Sequence, residues 1–403
     1  MTFAAESTGP TGCPHLDDRR LPVDGTPLTP SPTLRRWRDE AAATPLHYPD
    51  GPDGLIVTRH ALAREVLADQ RFSVGMHRFP HPHEPFDDDL DDAARASIAA
   101  SNLLALDGEQ HARMRRAVLS QFSMRAVRAR ERAVAQIVAS QLDQFLAREQ
   151  PADLFAHYAT PISLRGHCLV LGVPDALVPR FADLFVTGTS TAQQKFDYIR
   201  DVLGAREGDP GDDVITHLLQ GDWTRVEVEG ILLVLMTSGR DSVAYLIATA
   251  MVALLTHPDE IAVLRDEPER VTAAIEEFLR VGAMFVTLFP RTASVDVELD
   301  GLRIPAGTTV AVSPVAANRD ERRFEDPERF DVTREAFGHL GFGHGSHACV
   351  GQQLARLEIG EAVGRLLAAA PGIRLVHAEQ LAPLPFAHPV ATYEAGAVEV
   401  AWG

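Results

Sequence analysis

The sequence predicts a mainly α-helical fold with a small β-rich region, and three stretches carry that prediction. From about Ala93 to Leu279 the apolar positions follow a helical period, with breaks near Pro151, Pro174 and Pro210. The stretch ASVDVELDGLRIPAGTTVAVSP alternates apolar and polar residues, which predicts paired strands around an Asp-Gly turn. A final helix is predicted over VGQQLARLEIGEAVGRLLAAA, followed by strand-like pieces.

The N-terminal region differs in character from this helical body. Residues 1 to about 50 are rich in proline and glycine and predict a loosely packed lead-in with one short helix near Leu34 to Ala43. From Gly54, GLIVTRHALAREVLAD predicts a strand and then a helix. The segment from His77 to Asp92 carries prolines and an acidic run, so we expect a surface loop, which in a compact protein can also act as a lid.

Composition excludes several classes of function. The formal charge is −18, from 38 basic and 56 acidic residues, so a nucleic-acid partner or an anionic membrane surface is not expected. Three cysteines make an odd and sparse set, which is typical of a reducing compartment and not of a disulfide framework. The N-terminus has no charged start followed by an apolar core, so we expect a cytoplasmic protein without a signal peptide.

The most apolar segment, GILLVLMTSGRDSVAYLIATAMVALL, begins at Gly230 and could be mistaken for a membrane span. Arg240 and Asp241 lie at its middle. Each would cost roughly 2.5–3.5 kcal/mol at the centre of a bilayer. A buried helix is therefore the better prediction.

One short stretch, GFGHGSHACVG, gathers four glycines around Cys349. A helix is predicted to start just after this cysteine, and helix N–H groups and the helix dipole stabilise thiolate over thiol. Glycines at 343, 345 and 351 permit positive φ and close approach of a flat ligand. A buried apolar cysteine, or a zinc site using Cys349, His347 and His344, would also fit these residues, although no fourth zinc ligand is evident.

The stretch FGHGSHACVG, Phe342 to Gly351, resembles the heme-binding loop of the cytochrome P-450 superfamily, Phe-Gly-x-Gly-x-His-x-Cys-x-Gly. The resemblance implies a single cytochrome P-450 domain over residues 1–403, a triangular prism with heme b between the long central helix and the helix after the cysteine. It implies that Cys349 is the thiolate ligand of the iron, which favours O–O cleavage. Phe342, Gly343, His347 and Gly351 would be cofactor-binding positions of the loop.

Heme propionates need cationic partners. His111 and Arg115, in EQHARMRRAVL, lie one helical turn apart, and Arg291 begins a predicted strand in FPRTAS. Taken alone, His111 reads as a helix-surface histidine and Arg291 as a solvated strand end. The resemblance implies that these three residues, with His347, hold the propionates.

The spacing of Glu277 and Arg280 in EEFLR places them on one helix face. Such a pair is commonly an ordinary surface ion pair. The resemblance implies instead a buried structural pair, completed by an arginine from PERFDVTR. We assign Arg329 first and keep Arg334 as the alternative.

The central helix contains TSGRDSVA, and Gly239 within a helix costs about 1 kcal/mol relative to Ala. Either a local opening of the helix or tight packing would explain it. The resemblance implies catalytic roles for Gly239, Asp241 and Ser242: a kink that admits dioxygen and an acid–alcohol pair that delivers protons. Serine stands where the family has threonine, and its hydroxyl could turn back to the carbonyl of Ser238.

The resemblance also places a substrate pocket. It would be formed by the loop near Met76 to Phe86, the central helix, the stretch AMFVTLFP and a tip near Thr392. Ordinary core packing is the alternative for the apolar members. The assigned positions are Leu235, Ser238, Phe285, Val286, Leu288, Phe289, Thr392 and Tyr393.

The function implied is that of an actinobacterial heme-thiolate monooxygenase of secondary metabolism, such as antibiotic biosynthesis. It would insert one oxygen atom from O2 into a small, largely apolar or aromatic natural-product intermediate. Electrons would come from ferredoxin and ferredoxin reductase. Arg113, Arg116 and Arg356 could form a basic patch for such a partner, and an ordinary solvated face is the alternative for them. A monomer is expected.

Two alternatives stay open. The same heme could couple aryl or C–C positions of an aromatic cyclodipeptide or peptide without net oxygen insertion. A heme sensor or electron carrier would need a second axial ligand, such as His77 or His83. That reading is disfavoured because the Gly239, Asp241 and Ser242 constellation has no purpose in a closed site.

Overall fold

The structure is a computed structural model that describes residues 19–22, 24–48, 53–75, 89–186, 190–239, 241–377, 381–383 and 391–403. Most of the loop predicted from His77 to Asp92, and with it His77, His83 and the pocket segment Met76 to Phe86, lies outside these residues.

Helices dominate the described residues, as predicted. They are α1 (Pro32–Glu40), α2 (His60–Ala68), α3 (Asp92–Ser101), α4 (Gly108–Leu119), α5 (Met124–Leu146), α6 (Thr160–Leu171), α7 (Val178–Phe185), α8 (Ala192–Gly208), α9 (Val214–Leu219), α10 (Arg225–Ser238), α11 (Ser242–Thr256), α12 (Pro258–Asp266), α13 (Val271–Val281), α14 (Pro314–Ala317) and α15 (Gln352–Ala369). A π-helical turn, Phe155–Ala159, leads into α6.

The strands are short and fall before residue 75, at residues 152–153 and after residue 290. They are β1 (Ala43–Leu46), β2 (Gly54–Val57), β3 (Phe72–Ser73), β4 (Ala152–Asp153), β5 (Arg291–Ala293), β6 (Val297–Leu299), β7 (Leu302–Ile304), β8 (Thr309–Val312), β9 (Arg374–Leu375), β10 (Leu381–Pro383), β11 (Tyr393–Ala395) and β12 (Glu399–Ala401). The largest sheet has the order β1-β2-β8-β5-β3, with β2 and β8 parallel and the other pairs antiparallel.

The hairpin predicted around Asp300 and Gly301 is present. β6 and β7 pair with Leu299 opposite Leu302, and the two turn residues have φ of 48° and 73°. Positive φ at both central positions is the geometry that matches the twist of the flanking strands, and an Asp-Gly pair adopts it readily.

The predicted lead-in is packed more tightly than its composition suggests. α1 begins at Pro32 because Ser31 caps it, its side chain accepting a hydrogen bond from the Thr33 N–H at 3.2 Å. Leu34 and Trp37 are each 2% exposed. The prediction of loose packing therefore does not hold for the described part of residues 1–50.

The core is organised around the central helix segment α11. Every residue from Val243 to Leu254 is buried, and α11 packs against α6, α12, α13 and α15. The run Arg225–Thr256 is long and apolar enough to cross a membrane, but 59% of its most apolar window is buried inside the protein. That burial is typical of a core helix, as the charges at its middle predicted.

Candidate functional site

The cysteine loop is a tight backbone structure that ends at α15. The N–H of Cys349 donates to the carbonyl of Phe342 at 2.8 Å, and that of Gly343 donates to Leu340 at 2.9 Å. Gly343 and Gly345 have φ of 68° and 76°. A side chain at Gly345 would also collide with the carbonyl of Leu67, so glycine is required there twice over.

The sulfur of Cys349 lies among groups that act on its ionisation in opposite directions. The residue is exposed, yet the surrounding protein desolvates its thiol, and this desolvation raises the pKa of Cys349 above its usual value. The N–H groups of Gly351 and Gln352, at the start of α15, and the charges of Arg115 and Arg356 act in the opposite direction. A bound cation would lower the pKa of the thiol further, because a positive charge beside the sulfur stabilises the thiolate.

Three predicted propionate partners and the loop histidine come together beside the cysteine loop. The rings of His111 and His347 stack with centroids 4.0 Å apart. Arg115 donates to the carbonyl of Ala348. Arg291 is 5% exposed, and burial lowers its pKa to about 10.

The pKa values of the two histidines indicate the kind of ligand that would suit this cluster. Burial, and then the neighbouring His111 and Arg291, lower the pKa of His347 to about 4. Burial and then Arg115 lower the pKa of His111. Buried donors with depressed pKa values are stabilised by an incoming acid, so the cluster suits a ligand that carries carboxylates.

Asp107 belongs to the same cluster, although sequence analysis did not single it out. One of its oxygens lies 3.5 Å from Nε2 of His347. The carboxylate also accepts hydrogen bonds from Ser73 Oγ at 2.5 Å and from the Gly75 N–H at 3.1 Å. The sequence did contain a signal for Asp107. It immediately precedes α4 and lies four residues before His111, a spacing that places both residues on the same face of the helix.

Glu277 and Arg280 form a buried pair, each with a side chain 0% exposed. Two hydrogen bonds of 2.6 and 2.7 Å join the guanidinium to the carboxylate. Arg280 donates further to the carbonyls of Asn318 and Pro327 at 3.0 and 2.7 Å. The pair ties α13 to the stretch that leads to the cysteine loop.

The assignment of Arg329 as the third member is corrected by the geometry. Its side chain is 62% exposed and its guanidinium lies 3.8 Å from Asp331. Arg334 instead places Nε 3.4 Å from Glu277 Oε1, with 13% exposure. Arg329 contributes only its carbonyl, which accepts from Arg280 at 3.1 Å.

The central helix is interrupted where Gly239 predicted an irregularity. α10 ends at Ser238 and α11 begins at Ser242, with Asp241 between them. Gly239 also packs tightly, because a methyl group there would collide with the ring of His167 on α6. Both explanations weighed for this glycine therefore apply, and His167 could not have been found from spacing.

The alcohols beside this break differ in their contacts. Ser238 Oγ donates to the carbonyl of Val234 at 2.6 Å. Ser242 is half-buried in the first turn of α11. Within the described residues, no hydrogen bond joins Ser242 Oγ to the carbonyl of Ser238.

The predicted pocket segment pairs with the predicted tip. Phe285 and Thr392 form an isolated antiparallel bridge, and the N–H of Tyr393 donates to Met284 at 2.8 Å. Phe285, Leu288 and Phe289 are half-buried, and a Cβ at Gly343 would lie 3.9 Å from Leu288 Cδ1. Leu288 of this segment is therefore close to the cysteine loop.

Three other pocket positions lie in the core. Tyr393 is 1% exposed, Val286 5% and Leu235 5%. Their side chains pack within the main hydrophobic cluster, so they support the wall and do not form its surface in this structure. Ser238 is exposed and Thr392 is half-buried.

Two of the three arginines of the predicted basic patch are neutralised. Arg113 pairs with Glu227 at 2.7 Å and lies 4.0 Å over the Trp223 ring. Arg356 pairs with Glu276 at 2.6 Å. Arg116 is exposed, as are Arg125, Arg128 and Arg132 on the neighbouring α5.

The zinc alternative has no geometric support in the part of the chain that the structure describes. No group of three His, Cys, Asp or Glu residues there is arranged to hold a metal ion. The described residues therefore do not support the zinc reading of Cys349, His347 and His344.

Comparison with known proteins gives a consistent result. Residues 189–369 match the family model described as Cytochrome P450. The chain is 35% identical over 383 residues to the cytochrome P450 monooxygenase PikC of Streptomyces venezuelae, covering 91% of this chain and 90% of PikC. It is 36% identical over 344 residues to the mycinamicin IV hydroxylase/epoxidase of Micromonospora griseorubida, covering 81% and 84%. Among solved structures, cytochrome P450 MoxA from Nonomuraea recticatena matches with a TM-score of 0.84 at 30% identity, covering 96% of this chain and 99% of MoxA, which confirms the predicted fold.

Proposed function

The chain belongs to the cytochrome P450 family, and from this premise we propose that it oxidises a small, largely apolar or aromatic natural-product intermediate by inserting one oxygen atom from O2. The enzyme class and the cofactor, a monooxygenase with heme b, follow from the family. The substrate class, the reductant and the roles of individual residues are proposed here from the chemistry of the site.

The residues present fit heme b. Cys349 would be the iron ligand: burial alone raises the pKa of its thiol, but the N–H groups of Gly351 and Gln352 and two arginines act toward the thiolate that a bound iron would stabilise. His111, Arg115, Arg291 and His347 would hold the propionates, whose charge would offset the depressed histidine pKa values. When bound, heme b supplies an iron centre that activates dioxygen.

The glycines of the loop keep side chains away from the cofactor face. At Gly343, positive φ and the neighbouring Leu288 leave a surface on which a flat macrocycle can rest. The guanidinium of Arg356 lies 4.8 Å from the centroid of the Phe342 ring. This cation–π contact ties the loop to α15.

Proton delivery is assigned to the break in the central helix. Asp241 supplies an acid and Ser242 a hydroxyl at consecutive positions at the start of α11. The hydroxyl of Ser242 is available to donate, since it is not bound back to the carbonyl of Ser238.

The substrate would contact the half-buried face of Phe285, Leu288 and Phe289, with Thr392 and Ser238 as polar contacts. Aromatic and aliphatic walls with few hydroxyls favour an apolar substrate with isolated polar groups. The mycinamicin IV hydroxylase/epoxidase among the relatives makes hydroxylation or epoxidation the reaction types to test first.

Electrons would come from a ferredoxin and its reductase. The exposed arginines Arg116, Arg125, Arg128 and Arg132 lie on α4 and α5. α4 reaches the cysteine loop through Arg115, and α5 packs against α15. A basic surface here on a protein of net charge −18 would steer an acidic partner to the cysteine side of the heme. We expect a monomer in the cytoplasm.

The observation that carries this proposal is the thiol of Cys349 at the start of α15 beside the His111 and His347 stack. The test is the absorption spectrum of the dithionite-reduced protein with carbon monoxide, in the wild type and in Cys349→Ser. A strongly red-shifted Soret band that is lost in the variant supports the assignment. A band at the imidazole-like position in the wild type would exclude thiolate ligation.

Product mass then separates insertion from the coupling alternative. Hydroxylation or epoxidation adds one oxygen atom to the substrate, whereas coupling only removes hydrogen. Incubation under labelled dioxygen should place one labelled atom in the product. An unlabelled product lacking two hydrogens would overturn the proposed reaction while leaving the cofactor assignment intact.

A further inference from the structure

A cavity of about 230 Å³ lies between the start of α1 and α14, and we call it the α1–α14 cavity. None of its lining residues belongs to the site described above. The side chains of Arg38 and Arg319 line it and are only 3% and 4% exposed. The cavity is open to solvent, and Glu328, also in its lining, is 44% exposed. Two buried guanidinium groups at one cavity are unusual, because a buried charge is costly unless it is paired and hydrogen-bonded.

The two buried arginines are held by the backbone but keep one donor each without an acceptor. Arg38 donates to the carbonyl of Ala316 at 3.0 Å. Arg319 donates to three carbonyls, those of Pro27, Val281 and Val315, at 3.0, 3.2 and 3.4 Å. The Nε atoms of both arginines are buried and have no hydrogen-bond partner among the described residues. Buried donors normally have a partner, so these two call for an acceptor that the described residues do not supply.

The charge of the lining is unbalanced in the same sense. Arg35, Arg38 and Arg319 face one acid of the described lining, Glu328. Its carboxylate lies 3.4 Å from Arg319 Nε and 3.8 Å from Arg38 Nη2, so it forms ion pairs without a hydrogen bond to either atom. Asp39, outside the lining, lies 4.0 Å from Nε of Arg38 and 3.9 Å from Nε of Arg35. Three arginines against these two carboxylates leave a surplus of positive charge.

The pKa values of the buried arginines agree with this count. Burial, and then the neighbouring Arg280, lower the pKa of Arg319 to about 10, although Glu328 acts in the opposite direction. Burial also lowers the pKa of Arg38, again against Glu328. One shared carboxylate therefore does not compensate the two guanidinium groups, and a second anion would stabilise both.

The remaining lining indicates which anion fits. Most of it is apolar, with Pro30, Pro32, Leu34 and Val315 among its members. An inorganic anion would leave these walls without a partner. A carboxylate with a short hydrocarbon chain matches both parts, because guanidinium groups bind carboxylate oxygens in a defined geometry and the chain can lie against the apolar walls.

We propose that the α1–α14 cavity is a binding site for a small organic carboxylate. The carboxylate oxygens would accept hydrogen bonds from Arg38 and Arg319, and the hydrocarbon chain would lie against Leu34 and Val315. Glu328 would compete with the ligand, because its carboxylate already faces the same two arginines. The proposal uses no residue of the cysteine loop or of the substrate wall, so it stands independently of the proposed function.

Isothermal titration calorimetry of the heme-loaded enzyme with butyrate tests the ligand class. Butyrate should bind saturably, and butyramide, which has the same shape without the charge, should not. Inorganic phosphate should bind several-fold more weakly than butyrate. Absence of saturable butyrate binding, or equal binding of butyramide or phosphate, would overturn the proposal.

Variants then locate the bound butyrate. Glu328→Gln should bind it several-fold more tightly than the wild type, because the competing carboxylate is gone. Arg38→Met should bind it at least tenfold more weakly. Arg329→Ala is the matched control and should keep the affinity within twofold, because it removes an exposed arginine next to Glu328. Should Arg38→Met fail to fold, the half-exposed Glu328 still decides the matter: a Glu328→Gln variant that binds no more tightly would overturn the proposal.

Two further readings exclude binding elsewhere. Without butyrate, Glu328→Gln should unfold at lower urea than the wild type, because two buried guanidinium groups lose their counter-charge. Butyrate should raise the midpoint of this variant more than that of the wild type, since a ligand of the folded state stabilises it in proportion to its affinity. The absorption spectrum should stay unchanged during the titration. A Soret shift that saturates together with the calorimetric signal would place butyrate beside the heme and overturn the assignment to the α1–α14 cavity.

Discussion

Asp107 lies 3.5 Å from Nε2 of His347 and is the acidic neighbour of a histidine whose pKa is lowered to about 4. The carboxylate opposes that lowering but does not overcome burial and the adjacent His111 and Arg291. His347 is therefore neutral at pH 7 until an acidic ligand arrives. The lowered pKa of His347 makes the stability of the folded protein depend on pH.

The heme-free protein should lose stability on acidification through this histidine. An unfolded His347 binds a proton near pH 6.5 and the folded one only near pH 4, so the free energy of unfolding falls as the pH falls between these values. Between pH 7 and pH 4.5 the expected loss is about 2–3 kcal/mol. Urea unfolding of the wild type and His347→Gln at pH 7 and pH 4.5 measures it. Equal pH dependence in the two proteins would contradict the prediction, and heme should reduce the difference.

The Glu277 and Arg280 pair should be the most sensitive structural site. Glu277→Gln leaves a buried guanidinium without its counter-charge and should cost about 3–5 kcal/mol in unfolding free energy. Arg329→Ala is the matched control and should change stability by less than about 0.5 kcal/mol, because its side chain is exposed. Arg334→Ala should fall between them. A large effect of Arg329→Ala would restore the original assignment.

Ser242→Ala should uncouple reductant use from product formation. The variant keeps the helix but removes the hydroxyl beside Asp241, so peroxide release per reductant consumed should rise. Ser242→Thr is the control, since it keeps the hydroxyl with a more restricted rotamer. The measurement is product and peroxide formed per equivalent of reductant. Unchanged coupling in the alanine variant would mean that protons arrive through substrate or water.

Asp91 should hold α3 against α8. It caps α3 through the Ala94 N–H at 2.7 Å and meets Arg200 at 2.6 and 3.1 Å. Gln193 accepts from the Asp91 N–H at 2.8 Å and donates to its carboxylate at 3.1 Å. Asp91→Ala should cost about 1–2 kcal/mol of unfolding free energy, mainly through the lost cap. Asp91→Asn should keep most of the cap and lose less.

The arginine surface should control electron delivery. Arg128→Glu should slow reduction by a ferredoxin several-fold at low salt, and the difference should shrink as ionic strength rises. Arg148→Glu is the control, because it reverses an exposed charge beyond the far end of α5. Stopped-flow formation of the reduced carbon monoxide complex reports the rate. Equal slowing by both variants would indicate a general charge effect and no docking surface.

The predictions that the structure confirms rest on residues that are close together in the sequence. The Asp300 and Gly301 turn and the helix after Cys349 follow from neighbours in the chain, because turn chemistry and helix starts act over a few residues. The sequence could not decide whether Arg329 or Arg334 joins the Glu277 and Arg280 pair, because spacing does not show which side chain points toward the interior. The same holds for His167, which meets Gly239 across more than seventy residues, and for Arg113, whose partner Glu227 is on another helix.

The bridge between Phe285 and Thr392 joins parts of the chain that are made far apart in time. During synthesis on the ribosome, the apolar segment after α13 emerges about a hundred residues before the strand that covers it. Until residues 391–395 follow, the backbone of residues 284–287 lacks these hydrogen-bond partners, although Leu288 can already pair with Val312 of β8. The nascent chain therefore leaves the half-buried side chains of this segment uncovered until residues 391–395 have been made, and chaperone protection would matter most for yield during that interval.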